Sequence, residues 1–247
     1  MNKHKKDFRS IGKRQHYHMN CVIKNFANRK NEVLVNFKNN EEPCREHTNS
    51  ELFVARELWS NELEERIGSQ GIERRAQGQF KRILNGETIC SHKALSDYDL
   101  FWKLRHHEFL NPNRDRYQLF DFPGKAGSGA GWNDAAAYAE RENMVLVSPD
   151  GTISGKDWTT QRIKDYQSHN SPQYKVGLWE VLYSPNGGFI SADCYDKPII
   201  PLSPNYLLLC AKKREHSKKS ILADKDDIEN FNKIAREECR SFWFSYE

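Results

Sequence analysis

Gly177–Cys210, GLWEVLYSPNGGFISADCYDKPIIPLSPNYLLLC, decides the fold class of this chain. Taken with Val176 before it, the stretch divides into the runs VGLWEVLY, GGFIS, KPIIPLS and NYLLLC, separated by Pro185-Asn186-Gly187-Gly188 and Ser203-Pro204-Asn205. Aromatic and β-branched runs broken by Gly, Pro and Asn predict a sheet, because those turn residues accept backbone angles that strand residues refuse. Ser191, Asp193 and Asp196 lie between two apolar runs. A buried carboxylate is costly unless something pairs with it, so polar residues at a strand end mark a site or a sheet edge.

Helical spacing dominates the chain upstream of that stretch. After a turn at NRKN, residues 28–31, the run Glu32–Phe37 reads as a short strand and residues 38–48 as polar loop. Ser50 is positioned to cap a helix through SELFVARELWSNELEERI that stops at Gly68, and a second helix spans 72–84 up to Asn85-Gly86. In SDYDLFWKLRHHEFL, Ser96 and Asp99 resemble a capping box, and Asn111-Pro112 ends the segment. Its last turn carries Arg105, His106 and His107, cations that suit a helix C-terminus; the functional alternative has Arg105 and one His converging on Asp193 and His16.

Further along, RYQLFDF (116–122) and residues 144–147 read as strands, and Lys156-Asp157 opens a short helix. The last helix is expected from about Asp224 into SFWF. This arrangement predicts an α+β fold, a central mixed or antiparallel sheet flanked by helices in a single domain. That domain would span 15–247, with a helical segment at about 50–110, behind a basic arm at 1–14.

Composition narrows the function classes. A chain of 247 residues can bury a core without metals or disulfides. It has no apolar run of membrane-span length and no apolar signal core, which predicts a cytoplasmic protein that engages no membrane. The six cysteines form no C-x-x-C pair, so a structural zinc site is not indicated, and Cys44-Arg45-Glu46-His47 alone is a thin ligand set.

Charge is distributed unevenly. The first thirty residues hold nine Lys and Arg against Asp7 alone, while the whole chain is formally +4, so the remainder is mildly acidic. A basic arm containing Lys5, Lys6, Arg9, Lys13 and Arg14 suits contact with nucleic acid or another polyanion; the alternative is a solvated terminus.

Two further stretches carry candidate chemistry. Gln15-His16-Tyr17-His18-Met19 places two histidines around a tyrosine, which suits general acid–base work or metal ligation; paired surface histidines are the plainer reading. On a strand His16 and His18 would share a face. GKAGSGAGWND, with Gly127, Gly129 and Gly131 ahead of a helix start, has the strand–loop–helix form that cradles phosphate on backbone N–H groups. It lacks the G-K-[ST] of a P-loop and the G-x-G-x-x-G of a dinucleotide site, and a mobile lid or linker is the plainer reading.

FISADCYDKPIIPLSP, together with QHYHM and the following Lys24-Asn25-Phe26-Ala27, resembles an uncharacterised prokaryotic family, number 4238 among the domains of unknown function. The chain departs from that pattern in places. Gln15 stands where the family has a first His, Met19 where it has Pro, Ala192 splits the Ser-Asp pair, and the following Pro arrives late, at Pro198. The resemblance implies a bacterial or phage protein with some relatives in antiviral defence, and no established chemistry.

Three functions follow as alternatives. A nuclease would use His16, His18, Tyr17, Arg105 and Asp193 to move protons and to offset charge on the phosphorane. A metal-dependent version would hold a divalent cation such as Mg²⁺ on Asp193 with Asp196 or a histidine. A non-catalytic module would bind nucleic acid or a protein partner through aromatics and the basic arm, and a nucleotide-binding transferase would use the glycine loop.

Overall fold

The computed structural model describes residues 14–39, 42–112, 151–169, 177–211 and 220–246, together with 117–118, 138 and 147. Lys5, Lys6, Arg9, Lys13 and the glycine loop with Gly127, Gly129 and Gly131 lie outside the described residues, as does most of the strand expected at 144–147.

The elements begin with β1 (Gln15–His16), α1 (Asn20–Lys24), β2 (Glu32–Phe37), β3 (Cys44–His47) and β4 (Val54–Ala55). A helix with the wider i→i+5 winding, Leu63–Glu73, then runs directly into α2 (Arg74–Leu84), and α3 (His92–Leu110) follows. Next come β5 (Tyr117–Gln118), β6 (Thr152–Ile153), α4 (Gly155–His169), β7 (Leu178–Tyr183) and β8 (Ser191–Ala192). The chain closes with β9 (Ile199–Ser203), β10 (Tyr206–Ala211), β11 (Ile221–Leu222), α5 (Lys225–Glu238) and β12 (Phe242–Ser245).

The fold is mixed α+β, with two four-stranded sheets in place of one central sheet. The first, ordered β11-β7-β10-β9, comes largely from the stretch that signalled a sheet. Its β7, β10 and β9 pair antiparallel, and β11 joins β7 in parallel. The second, β3-β2-β12-β8, is antiparallel throughout. Period-2 alternation places Val33 and Val35 of β2 inside with Phe242 and Phe244 of β12. Phe26, Phe53 and Phe244 meet there edge to face, with centroids 5.4–5.6 Å apart. One apolar cluster runs from both sheets into α2 and α3.

Several boundaries differ from the sequence expectation, each for a physical reason. Ser50 caps only a 3₁₀ turn, Glu51–Phe53, before the chain extends into β4 and pairs with β1. Phe53, Val54 and Ala55 are all buried, so this stretch has no polar face to offer an amphipathic helix.

Gly68 lies inside its helix instead of ending it. A Cβ there would sit 3.0 Å from the Leu63 carbonyl oxygen and 3.1 Å from the Phe101 ring, so the missing side chain lets α3 approach. Ser91, not Ser96, caps α3, accepting a hydrogen bond from the Ala94 N–H. Ser96 instead faces the sheet, where its hydroxyl accepts from Trp179 Nε1 at 2.9 Å.

Residues Cys44–His47, expected as loop, pair with β2; SFWF, expected as helix, forms β12; and within GGFIS only Ser191 enters a strand. The last helix does start where expected, with a complete capping box between Asp224 and Asp227.

Candidate functional site

The candidate site forms where the segment between β1 and α1 packs on α3. Tyr98, Trp102, Arg105, His106 and Phe109 recur at helical spacing, so α3 presents them on one side to Tyr17 and His18. Gln15 anchors the segment. Its side-chain N–H donates to the Trp59 carbonyl at 2.7 Å, and its oxygen accepts from the N–H groups of Leu58 and Trp59. Gln15 is therefore a buried amide stitching two chain segments together.

Tyr17 is fully buried. Its hydroxyl donates to the Leu52 carbonyl at 2.6 Å, and its ring stacks on Phe109 at 4.5 Å and meets His106 edge-on at 5.1 Å. Burial, then the Asp193 charge, pushes its hydroxyl well above the usual phenol range. His18 follows in a turn, so it does not share a strand face with His16. It lies 4.3 Å from the Trp102 ring, and burial followed by the Arg105 charge lowers it to about 3. His16 is half-buried and is lowered to about 4, first by burial and then by Arg105, Arg14 and Lys24. Both imidazoles are neutral at physiological pH.

Arg105 is 1% exposed, well away from the solvated role suited to a helix end. Nη2 pairs with Glu73 Oε1 and Nη1 lies 3.6 Å from Glu64 Oε2, while its Cζ rests 4.2 Å from the Phe101 ring centre. Burial works against its charge, but Glu73 and Glu64 more than offset that and hold it above the ordinary arginine value. Glu64, also bonded by Trp59 Nε1 at 2.8 Å, is raised mainly by burial. Sequence reasoning passed over Glu64, Glu73 and Trp102; the apolar stripe of α3 containing Arg105 was the available signal.

Asp193 performs a backbone task. Oδ1 accepts from the Arg240 N–H and Oδ2 from the Ser241 N–H, both at 2.8 Å, which fixes the turn between α5 and β12. Its own N–H donates to the Phe242 carbonyl beside the β8–β12 pairing. His106 Nε2 approaches Oδ2 at 3.4 Å without a hydrogen bond of normal geometry, so the contact is electrostatic. Asp196 is exposed and pairs with Arg240.

His16, Tyr17, His18, Arg105 and Asp193 thus converge on one junction, with His106 as the histidine nearest Asp193. Every one of them except His16 is at most 2% exposed. The tyrosine hydroxyl and both Asp193 oxygens are engaged by backbone groups, leaving half-buried His16 best placed to exchange a proton with solvent. Among the described residues no group of three or more His, Cys, Asp or Glu could hold a metal ion. All six cysteines are free thiols, with Cys21 exposed and Cys194 and Cys239 buried.

A second feature lies on the outside. Lys24 of α1 and Arg74 and Lys81 of α2 are exposed and form no ion pair among the described residues, whereas Arg75 and Arg82 meet Asp97 and Glu87. Lys81 lies within electrostatic reach of the Cys21 thiol of α1, and Lys24 within reach of His16. Arg14, where the basic arm joins, is half exposed and meets Glu51 at 3.3 Å. No described helix is long and apolar enough to cross a membrane. Compared with family models, curated proteins and solved structures, the chain finds no match in any of the three.

Proposed function

We propose that this protein is a nucleic-acid-binding module of prokaryotic or phage conflict systems that grips the phosphate backbone without cleaving it. One observation carries the reading: Lys24, Arg74 and Lys81 on α1 and α2 are exposed and have no ion-pair partner among the described residues, and Lys24 and Arg14 both act on His16. Exposed cations without carboxylate partners are free to displace counterions from a polyanion, which is the main source of sequence-independent affinity. The candidate acid–base groups, in contrast, are neutral, buried or engaged by backbone. The defence context comes from the family resemblance alone.

A nuclease remains the second reading, because half-buried His16 sits within reach of the Arg14 and Lys24 charges at the edge of the Tyr17–Asp193 junction. The test is incubation of purified protein with RNA, single-stranded DNA and duplex DNA in Mg²⁺, Mn²⁺ or EDTA. The module reading expects intact substrate and a band shift that weakens as salt rises. Cleavage lost in a folded His16→Ala variant would overturn it in favour of the nuclease.

A further inference from the structure

We infer that the turn at His16–His18 and the buried face of α3 form a subsite for a phosphate-type oxyanion, approached past His16. Beside Tyr98 Oη and His106 Nε2, five polar atoms at this junction make no hydrogen bond of normal geometry to the described residues: His16 Nδ1, both ring nitrogens of His18 (with the Met19 backbone close by), Trp102 Nε1 and Arg105 Nε. His18, Trp102 and Arg105 are at most 1% exposed. Native interiors retain few such atoms because each forfeits its hydrogen bonds to water, so several at one junction call for a shared partner. They are neighbours: His18 lies 4.3 Å from the Trp102 ring, Arg105 follows Trp102 by three residues on the same helix, and its charge acts on both His16 and His18.

The chemistry of these atoms selects the partner. Trp102 Nε1 and Arg105 Nε can only donate, and each neutral imidazole contributes one N–H. The charges acting on His16 and His18 come from Arg105, Arg14, Lys24 and neighbouring imidazoles, with no carboxylate among them. Surplus donors with no carboxylate acting on either imidazole fit an anion. The nearby carboxylates belong to other partners: Glu64 and Glu73 to the Nη atoms of Arg105, and Asp193 to the Arg240 and Ser241 N–H groups with His106 beside it. The subsite is therefore the His18–Trp102 side of the junction.

A phosphate offers several acceptor oxygens to converging donors, more than chloride or a carboxylate can. An internal phosphodiester is flanked by a sugar on each side and cannot reach donors this deeply buried. Free phosphate or a terminal phosphomonoester can, and the charges of exposed Arg14 and Lys24 act on half-buried His16.

The test is imidazole NMR of the full chain during titration with inorganic phosphate against chloride at matched ionic strength. Exposed His47 and His107 serve as internal controls. Saturable shifts confined to His16 and His18, with their titration midpoints rising from about 4 and about 3, are expected. Trp102→Phe, which keeps the ring and removes its N–H, should weaken phosphate binding about tenfold. Shifts no larger than those of His47 and His107, or unchanged binding by a folded Trp102→Phe, would overturn the inference.

Two competition arms identify the source. Displacement of phosphate by a 5′-phosphorylated oligonucleotide, and not by its 5′-hydroxyl twin, assigns the subsite to nucleic-acid ends; displacement by neither assigns it to the free ion. Absence of a phosphate response with retained salt-sensitive nucleic-acid binding would overturn the subsite alone, and the reverse result would overturn the module reading alone.

Discussion

Helices α2 and α3 pack side by side and use their cations in opposite ways. Arg105 of α3 points inward to Glu64, Glu73 and the Phe101 ring, while Arg74 and Lys81 of α2 are exposed with no ion-pair partner among the described residues. The register of each residue on its helix makes the difference. A guanidinium on a buried stripe must be paired and becomes architecture, whereas one on the exposed face is free to meet a ligand. The histidines divide similarly, His18 and His106 inside and His107 outside.

The largest expected effect lies in the buried half of that contrast. Arg105→Met leaves Glu64 and Glu73 without their cation and should cost about 3–5 kcal/mol in urea unfolding. A loss under about 1 kcal/mol would mean that the triad is not architectural.

Acid should probe the same junction. The folded state depresses the His18 and His16 pKa values to about 3 and about 4, so the unfolded chain takes up protons first as pH falls. Their contribution is complete above about pH 6.5 and is lost through the acid range, on the order of 3 kcal/mol from His18 alone by pH 4. His18→Phe should flatten the dependence of the urea midpoint on pH between 6.5 and 4. An equally steep dependence in that variant would remove His18 from the account.

Asp193→Ala strips two backbone N–H groups of their acceptor and should cost about 2 kcal/mol, read from thermal unfolding. A catalytic carboxylate would more often tolerate the change, or gain stability from it. Smaller still are paired glycine substitutions. Gly68→Ala drives a methyl against the Leu63 carbonyl and Phe101 and should destabilise by about 1–2 kcal/mol. Gly78→Ala on the open face of α2 should stabilise by about 0.5–1 kcal/mol. Equal effects at the two sites would contradict the close approach of α3.

The fold class and the β2, β7, β9 and β10 strands were legible because alternation and turn residues are local signals. The run from Ser50 to Gly68 was not, since pairing of Val54 with His16 and packing of Phe101 on Gly68 are contacts between distant segments. The same holds for the site. Sequence pattern placed His16, Tyr17 and Asp193 in suggestive company, but burial and partners decide what a titratable group can do. That Asp193 would be engaged by the N–H groups of Arg240 and Ser241 depends on a turn 47 and 48 residues away, which no local motif announces.

The most direct measurement is nucleic-acid affinity as a function of salt for wild type, a combined Lys24→Ala, Arg74→Ala, Lys81→Ala variant, and His16→Ala. The account predicts that the triple variant unfolds within about 0.5 kcal/mol of wild type, because exposed unpaired cations stabilise little. It also predicts that this variant binds about tenfold or more weakly, with a salt slope reduced by about 2, while His16→Ala binds and leaves nucleic acid intact as wild type does. Unchanged affinity in the triple variant, or a cleavage activity that disappears with His16, would contradict it.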